Sequence, residues 1–213
     1  QAITLTGDYF GPTNSYALYG INFLQSVTYG EAGDEYKAVG CEVKSHQSIT
    51  CKTAQGVGKD LRWAVTVADQ TSVLSSFTTN YKAPIISSFT PTTYSTAGGV
   101  TMTIDGSNFA TFQVPRFLFN GVAQDTSYVV GQDKLFLSIP EGYGTDIPIQ
   151  IVVGEQESNT MLFNYLPPSI SSINTKAAEN NTITLIILGQ SFSTDPVVTI
   201  DKDGIIYSIY CPL

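Results

Sequence analysis

Three cysteines and a single histidine are the side chains in this sequence best suited to covalent or metal chemistry. Cys41 and Cys51 bracket a short polar stretch that contains His46. Two thiols at that spacing can close a disulfide or offer two ligands to a metal. A structural zinc site needs four ligands, and only His46 stands nearby. Cys211 lies far along the chain, so the odd count leaves one thiol over. As the lone imidazole, His46 would have to serve any Ser-His-Asp or Cys-His arrangement. Its neighbours Ser45 and Gln47 describe a solvated turn instead. No nucleophile elbow, phosphate-binding glycine loop or two-histidine metal motif is present. Asp201 and Asp203, with Asp195 nearby, are candidate cation ligands, but Asp201-Lys202-Asp203-Gly204 reads first as a β-turn opening a hairpin. The expectation is a protein with no enzymatic activity, no metal and no cofactor. Asn180-Asn181-Thr182 is a sequon that offers Asn180 to a glycan.

The bulk of the chain narrows the function classes further. Its 213 residues are 42% hydrophobic but only 13% charged. That apolar content is enough to bury a core, and the charge is about half of what a soluble domain usually carries. Net charge is -8 and no cluster of Lys and Arg occurs. A nucleic-acid partner needs a basic patch, and an anionic lipid surface needs the same, so neither is expected. No apolar run reaches the length of a membrane-spanning helix.

Landmarks recur in a constant order. Gly7-Asp8-Tyr9-Phe10 returns as Gly106-Ser107-Asn108-Phe109 and as Gly189-Gln190-Ser191-Phe192, each after an alternating strand. Asn80-Tyr81 returns as Asn164-Tyr165, and Gly56-Val57-Gly58 as Gly142-Tyr143-Gly144. Behind Pro84 and Pro168 come Ile86-Ser87-Ser88-Phe89 and Ile170-Ser171-Ser172-Ile173. Tyr81 to Tyr165 is 84 residues and Phe109 to Phe192 is 83, so two independent landmarks share one period. Between them, Leu61–Val67, Leu135–Ile139 and Ile147–Val153 alternate and are rich in β-branched residues, whereas no stretch holds a helical period. Several short strands per period argue for a sandwich. Trp63 shares a strand face with Leu61 and Val65, which places it in the core. The Gly-x-x-Phe motif reads as a strand end at which the glycine takes a positive φ and the phenylalanine plugs the sandwich.

This ordered set resembles the IPT/TIG domain, an early-set immunoglobulin-like fold, and the likeness covers essentially the whole chain. It implies an all-β protein of tandem immunoglobulin-like β-sandwiches. Residues 1–83 form a first repeat without its opening strand, 84–167 a complete second repeat, and 168–213 a third cut short at its C-terminal end. The chain then reads as the ordered middle of a longer protein, or as one whose end repeats are completed by neighbours. Cys41-Glu42-Val43 and Ile49-Thr50-Cys51 resemble the cysteine element of many such repeats, which implies a disulfide between Cys41 and Cys51 and an oxidising compartment. The composition resembles cell-surface IPT/TIG proteins of social amoebae, which act in adhesion and kin recognition, and the stalk repeats of plexin-like receptors. The expected function is therefore an extracellular, cell-surface adhesion or recognition segment with a protein partner. A structural stalk or filament subunit, and an accessory module of a carbohydrate-active enzyme, are the alternatives.

The first repeat is longer than the second by about 13 residues between its Phe and its Gly-x-Gly. That stretch holds Tyr16, Tyr19, Phe23, Tyr29 and Tyr36 among small and polar residues. Tyrosine with Ser, Gly and Asn is the chemistry of adaptable protein-binding loops, which makes these five aromatics the candidate partner-binding residues.

Overall fold

The computed structural model describes residues 1–111, 113–124, 126–177, 183–193, 196–202 and 205–210. The chain is almost entirely β, with 52% strand and 3% helix. It divides into two compact units, Gln1–Ala83 with Val153–Glu157, and Pro84–Val152 with Ser158–Leu213.

The first unit is a sandwich. One sheet orders Ala2–Thr6, Ser48–Lys52 and Val39–Ser45; the other orders Tyr36–Lys37, Leu24–Gly30, Arg62–Val67 and Gln70–Thr71. Alternation along each strand sends Ile49 and Cys51 from one sheet, and Val27, Tyr29, Trp63 and Val65 from the other, into a shared core. Trp63 is buried there, with its indole N–H donating to Thr79 Oγ1 at 3.0 Å. Beyond Gln70–Thr71 the chain continues beside Arg62–Val67 as a strap rather than a strand. Ser72 N–H donates to Val65 O while Ser72 Oγ accepts from Val65 N–H. Ser75 does the same for Trp63.

The second unit repeats this plan with more strands in each sheet. Its first sheet orders Thr126–Val130, Lys134–Ser138, Thr101–Ser107 and Ile85–Thr90. Its second runs from Val122–Gln124 through Arg116–Phe119, Ile147–Val153 and Met161–Tyr165 to Thr93–Tyr94. Met102, Ile104, Phe109, Phe117, Leu135, Ile149 and Phe163 are fully enclosed between them. Further along, Ser169–Ala177 pairs with Ile183–Gln190, and Val197–Lys202 with Ile205–Tyr210.

The recurrent motifs turn out to be contacts. A Cβ added at Gly7, Gly106 or Gly189 would lie 2.8, 2.4 or 2.5 Å from the ring of Phe10, Phe109 or Phe192. Each glycine is thus the floor on which the ring three residues later rests. The positive φ expected at these glycines falls instead at the third motif position: Tyr9 at 66°, Asn108 at 61° and Ser191 at 59°. The left-handed residue turns the chain back so that the phenylalanine reaches the glycine.

The second lock joins the Gly-x-Gly and Asn-Tyr landmarks. A Cβ at Gly56 would strike the Tyr81 ring at 2.6 Å, and one at Gly142 would strike Tyr165 at 2.8 Å. Tyr81 Oη donates to Ala54 O at 2.8 Å, and Tyr165 Oη to Pro140 O at 2.7 Å. The adjoining asparagines accept from the backbone N–H of Asp60 and Asp146, both with left-handed φ. Burial, with Glu141 adding to it, pushes the Tyr165 phenol up to about 12.

The glycine floors make a checkable statement. At Gly106 an added methyl would also lie 2.0 Å from the backbone carbonyl of Ile85, which cannot swing aside, whereas at Gly7 only the Phe10 ring stands in the way. Gly106→Ala is expected to destabilise by about 1–3 kcal/mol, and more than Gly7→Ala, in denaturant unfolding followed by circular dichroism. Equal effects of the two substitutions would show that the Ile85 carbonyl is not the constraint. The phenol makes another. A folded-state value above the ordinary 10.0 means that neutral Tyr165 stabilises the fold below pH 10.0, and that this contribution fades as pH rises towards 12. Tyr165→Phe is expected to flatten the alkaline limb of the stability profile over that window; an unchanged limb would disprove it.

Candidate functional site

The longer loop of the first unit contains a helical turn, although no stretch of the sequence holds a helical period. Ser15–Tyr19 forms one short helix, closed by Gly20 in the left-handed conformation with its N–H donating to Tyr16 O. A segment this short shows no repeating apolar period, so pattern alone does not reveal it. The buried Ser15 anchors it from below: Ser15 Oγ donates to Asn22 Oδ1 and accepts from Phe23 N–H. Phe23 O in turn accepts from Ala68 N–H, which ties the loop to the turn after Arg62–Val67.

With its base held, the loop presents apolar surface outward. Tyr16 is 73% exposed and Tyr19 62%, with Leu18 and Ile21 also exposed. Phe23 is half-buried, its ring centroid 5.5 Å from that of Tyr19. Shallow clefts flank the ridge. One runs between Tyr16 and the strand around Cys41–Lys44; the other lies between Tyr16, Phe23 and Asp69.

Tyr29 and Tyr36 do not belong to this surface, a correction to the sequence expectation. Tyr29 is wholly buried, stacked on Trp63 at 4.1 Å and on Tyr36 at 5.2 Å. Its hydroxyl accepts from Ala54 N–H and shares a hydrogen bond with Tyr81. Tyr36, half-buried, bonds Val57 through both its lone pair and its proton. The two phenols therefore hold the loop between Thr53 and Gly58 onto the core. The signal was available in the repeat: Tyr29 pairs with Trp63 as Phe119 pairs with Ile149, and Phe119 is a core residue. Tyr29 comes 19 residues after Phe10, and Phe119 comes 10 after Phe109, so most of the extra length precedes Leu24 and is the helical loop itself.

Cys41 and Cys51 are joined as a disulfide between neighbouring strands, where the ladder of Val39–Ser45 with Ser48–Lys52 is irregular. His46 is exposed in the turn between them, its carbonyl accepting from Phe10 N–H. Asn180 and Cys211 lie outside the described residues, as do Asp195 and Asp203. Another charged group has a structural task that its sequence does not advertise. The Glu35 carboxylate accepts from the backbone N–H groups of Ala32, Gly33 and Asp34, the first at 2.9 Å. These donors, Ala32 foremost, hold its pKa below the usual carboxylate value.

A folded-state value below 4.5 means that the ionised Glu35 stabilises its loop fully above pH 4.5, and that this contribution is lost as pH falls through the lower folded value. An NMR titration should find Glu35 ionising below 4.5, with amide exchange at Ala32 and Gly33 rising as it protonates. Glu35→Gln should remove that pH dependence, and an ordinary titration would contradict the capping role.

Residues 84–165 match the IPT/TIG domain family. No curated protein matches the sequence. Among solved structures, a surface glycan-binding protein from Prevotella bryantii is similar at 14% identity and a TM-score of 0.47, over 75% of this chain and 35% of that one. The plexin A4 extracellular region is similar at 13% identity and a TM-score of 0.39, over 100% and 18%. A gamma-CGTase from alkalophilic Bacillus clarkii is similar at 14% identity and a TM-score of 0.39, over 100% and 34%. The chain spans well under half the length of each.

Proposed function

From the IPT/TIG domain that occupies residues 84–165, we propose that the chain is a segment of an extracellular, cell-surface recognition protein that binds a protein partner through the helical loop of its first unit. The observation that carries this reading is the exposure of Tyr16, Leu18, Tyr19 and Ile21 together on a loop whose base is hydrogen-bonded to a rigid sandwich. Aromatic side chains held at a fixed height bring large contact area at low entropic cost, and such residues dominate binding energy at interfaces. Loops vary without unfolding the strands beneath them, and this loop is the main departure of the first unit from the second. The disulfide fits an oxidising compartment. Within this reading the chain is parsed as three repeats, 1–83, 84–167 and 168–213, and Asn180 carries a glycan.

Deleting residues 13–34 would take out the strand Leu24–Gly30 and with it Val27 and Tyr29 of the core, so the test must use point substitutions. In the variant carrying Tyr16→Ser and Tyr19→Ser, Trp63 fluorescence should be unchanged. Adhesion of beads coated with the chain, to one another and to cells displaying it, should fall tenfold or more, a loss of roughly 1.4 kcal/mol. A stalk would adhere equally well with or without these tyrosines, and that result in a folded variant would overturn the proposal.

A further inference from the structure

The cleft beside the ridge, between Tyr16, Phe23 and Asp69, carries a fixed acceptor on its wall. Asp69 follows Ala68 in a turn where both residues hold left-handed φ, 64° and 46° respectively. Ala68 N–H donates to Phe23 O at 2.9 Å, which binds this turn to the loop. The Gln25 side chain then clamps Asp69 from two directions. Its Nε2 donates to Asp69 Oδ1 at 2.7 Å, and its Oε1 accepts from Asp69 N–H at 2.8 Å. The exposed carboxylate is therefore held in one orientation. Its second oxygen, Oδ2, has no hydrogen bond among the described residues.

The other walls are apolar or small: Ile21, Phe23 and Ala68, with Gly20 leaving room between them. A tyrosine ring, apolar with an O–H donor at its tip, matches a slot of that kind. The chain presents such rings beside the slot. Tyr16 is one of the walls, so Tyr19, 62% exposed, is the ring left to reach outward. Its hydroxyl has no hydrogen-bond partner among the described residues.

A surface that carries both a knob and a slot for it is self-complementary. A two-fold axis through it seats the knob of each copy in the slot of the other, so every contact is made twice. The same symmetry sets groups near the axis against their own counterparts, where like charges would repel. Residues 11–30 contain no Asp, Glu, Lys, Arg or His, so the ridge offers no charge to be repelled. On its flank, Glu42 is already paired with Lys44.

We propose that the partner of the ridge is a second copy of this chain, bound about a two-fold axis. Tyr19 of each copy sits in the cleft of the other, with its hydroxyl donating to Asp69 Oδ2. Such a pairing rests on the reading of the ridge as the recognition surface and supplies its partner. Each contact joins an apolar ring to a charge-assisted hydrogen bond. Two of them make a weak pair that becomes adhesive when many copies face one another on two surfaces.

Sedimentation equilibrium of the full chain, from about 1 µM to about 1 mM, is expected to show monomer and dimer in exchange. Tyr19→Phe keeps the ring and removes the donor. Asp69→Gly suits the left-handed backbone and removes the acceptor. Each should raise the dimer Kd tenfold or more while Trp63 fluorescence stays unchanged. The chain carrying both should dimerise no more weakly than the weaker single variant, because the two changes remove the same bond. Losses that add would show that the two groups do not meet, and would overturn the proposal. A dimer undiminished by Tyr16→Ser with Tyr19→Ser overturns it too, by placing the contact elsewhere. A chain that stays monomeric throughout also overturns it. If beads coated with that monomeric chain still bind cells that lack it, and lose this binding with the two serines, the ridge serves a different protein and the recognition reading stands.

Discussion

A bare glycine beneath an aromatic ring is the contact on which both units depend. It takes two forms in each: phenylalanine on glycine at a strand end, and tyrosine on glycine at a loop. Glycine has no side chain to pack and loses the most conformational freedom on folding, so by itself it weakens a strand. Here its lack of a Cβ lets a ring approach the backbone to van der Waals distance and exclude water from the end of the sandwich. The tyrosine version adds polarity to the same contact, because the Tyr81 and Tyr165 hydroxyls reach past the glycine to backbone carbonyls that would otherwise be unpaired.

From these locks follows the division of labour among the aromatics of the first unit. The Tyr81 hydroxyl, bonded to Ala54 O, also shares a hydrogen bond with Tyr29, whose ring stacks on Trp63 and Tyr36. Once the core has taken those rings, the aromatics of the helical loop have no room beneath them. Tyr16 and Tyr19 stay outside, supported from below by Ser15 and Phe23. Exposed apolar side chains clustered on a well-anchored loop are the usual mark of a contact surface.

The period, the strand pattern and the glycine and aromatic landmarks were legible in the amino-acid order, because strand alternation and turn chemistry act over a few residues. Trp63 could be placed in the core from its face-sharing with Leu61 and Val65. The cysteine pair was legible only through resemblance, since spacing alone leaves a metal open. What the landmarks do to one another was not legible. Gly56 and Tyr81 are 25 residues apart, and nothing local says that one is the floor for the other. The single helical turn at Ser15–Tyr19 escaped for the opposite reason, being too short to establish a period.

The sequence by itself thus determined an all-β chain of repeated sandwiches, and it located the one stretch where the first repeat departs from the second. Local preferences suffice for that. Only the tertiary structure decided which tyrosines of that stretch face inward and which glycine serves which ring. Each of those depends on the strand or ring that lies opposite, and a shift of one residue in register would exchange buried for exposed along a whole strand. Such pairings join residues distant in the chain, so they are settled by packing and not by neighbours in the sequence.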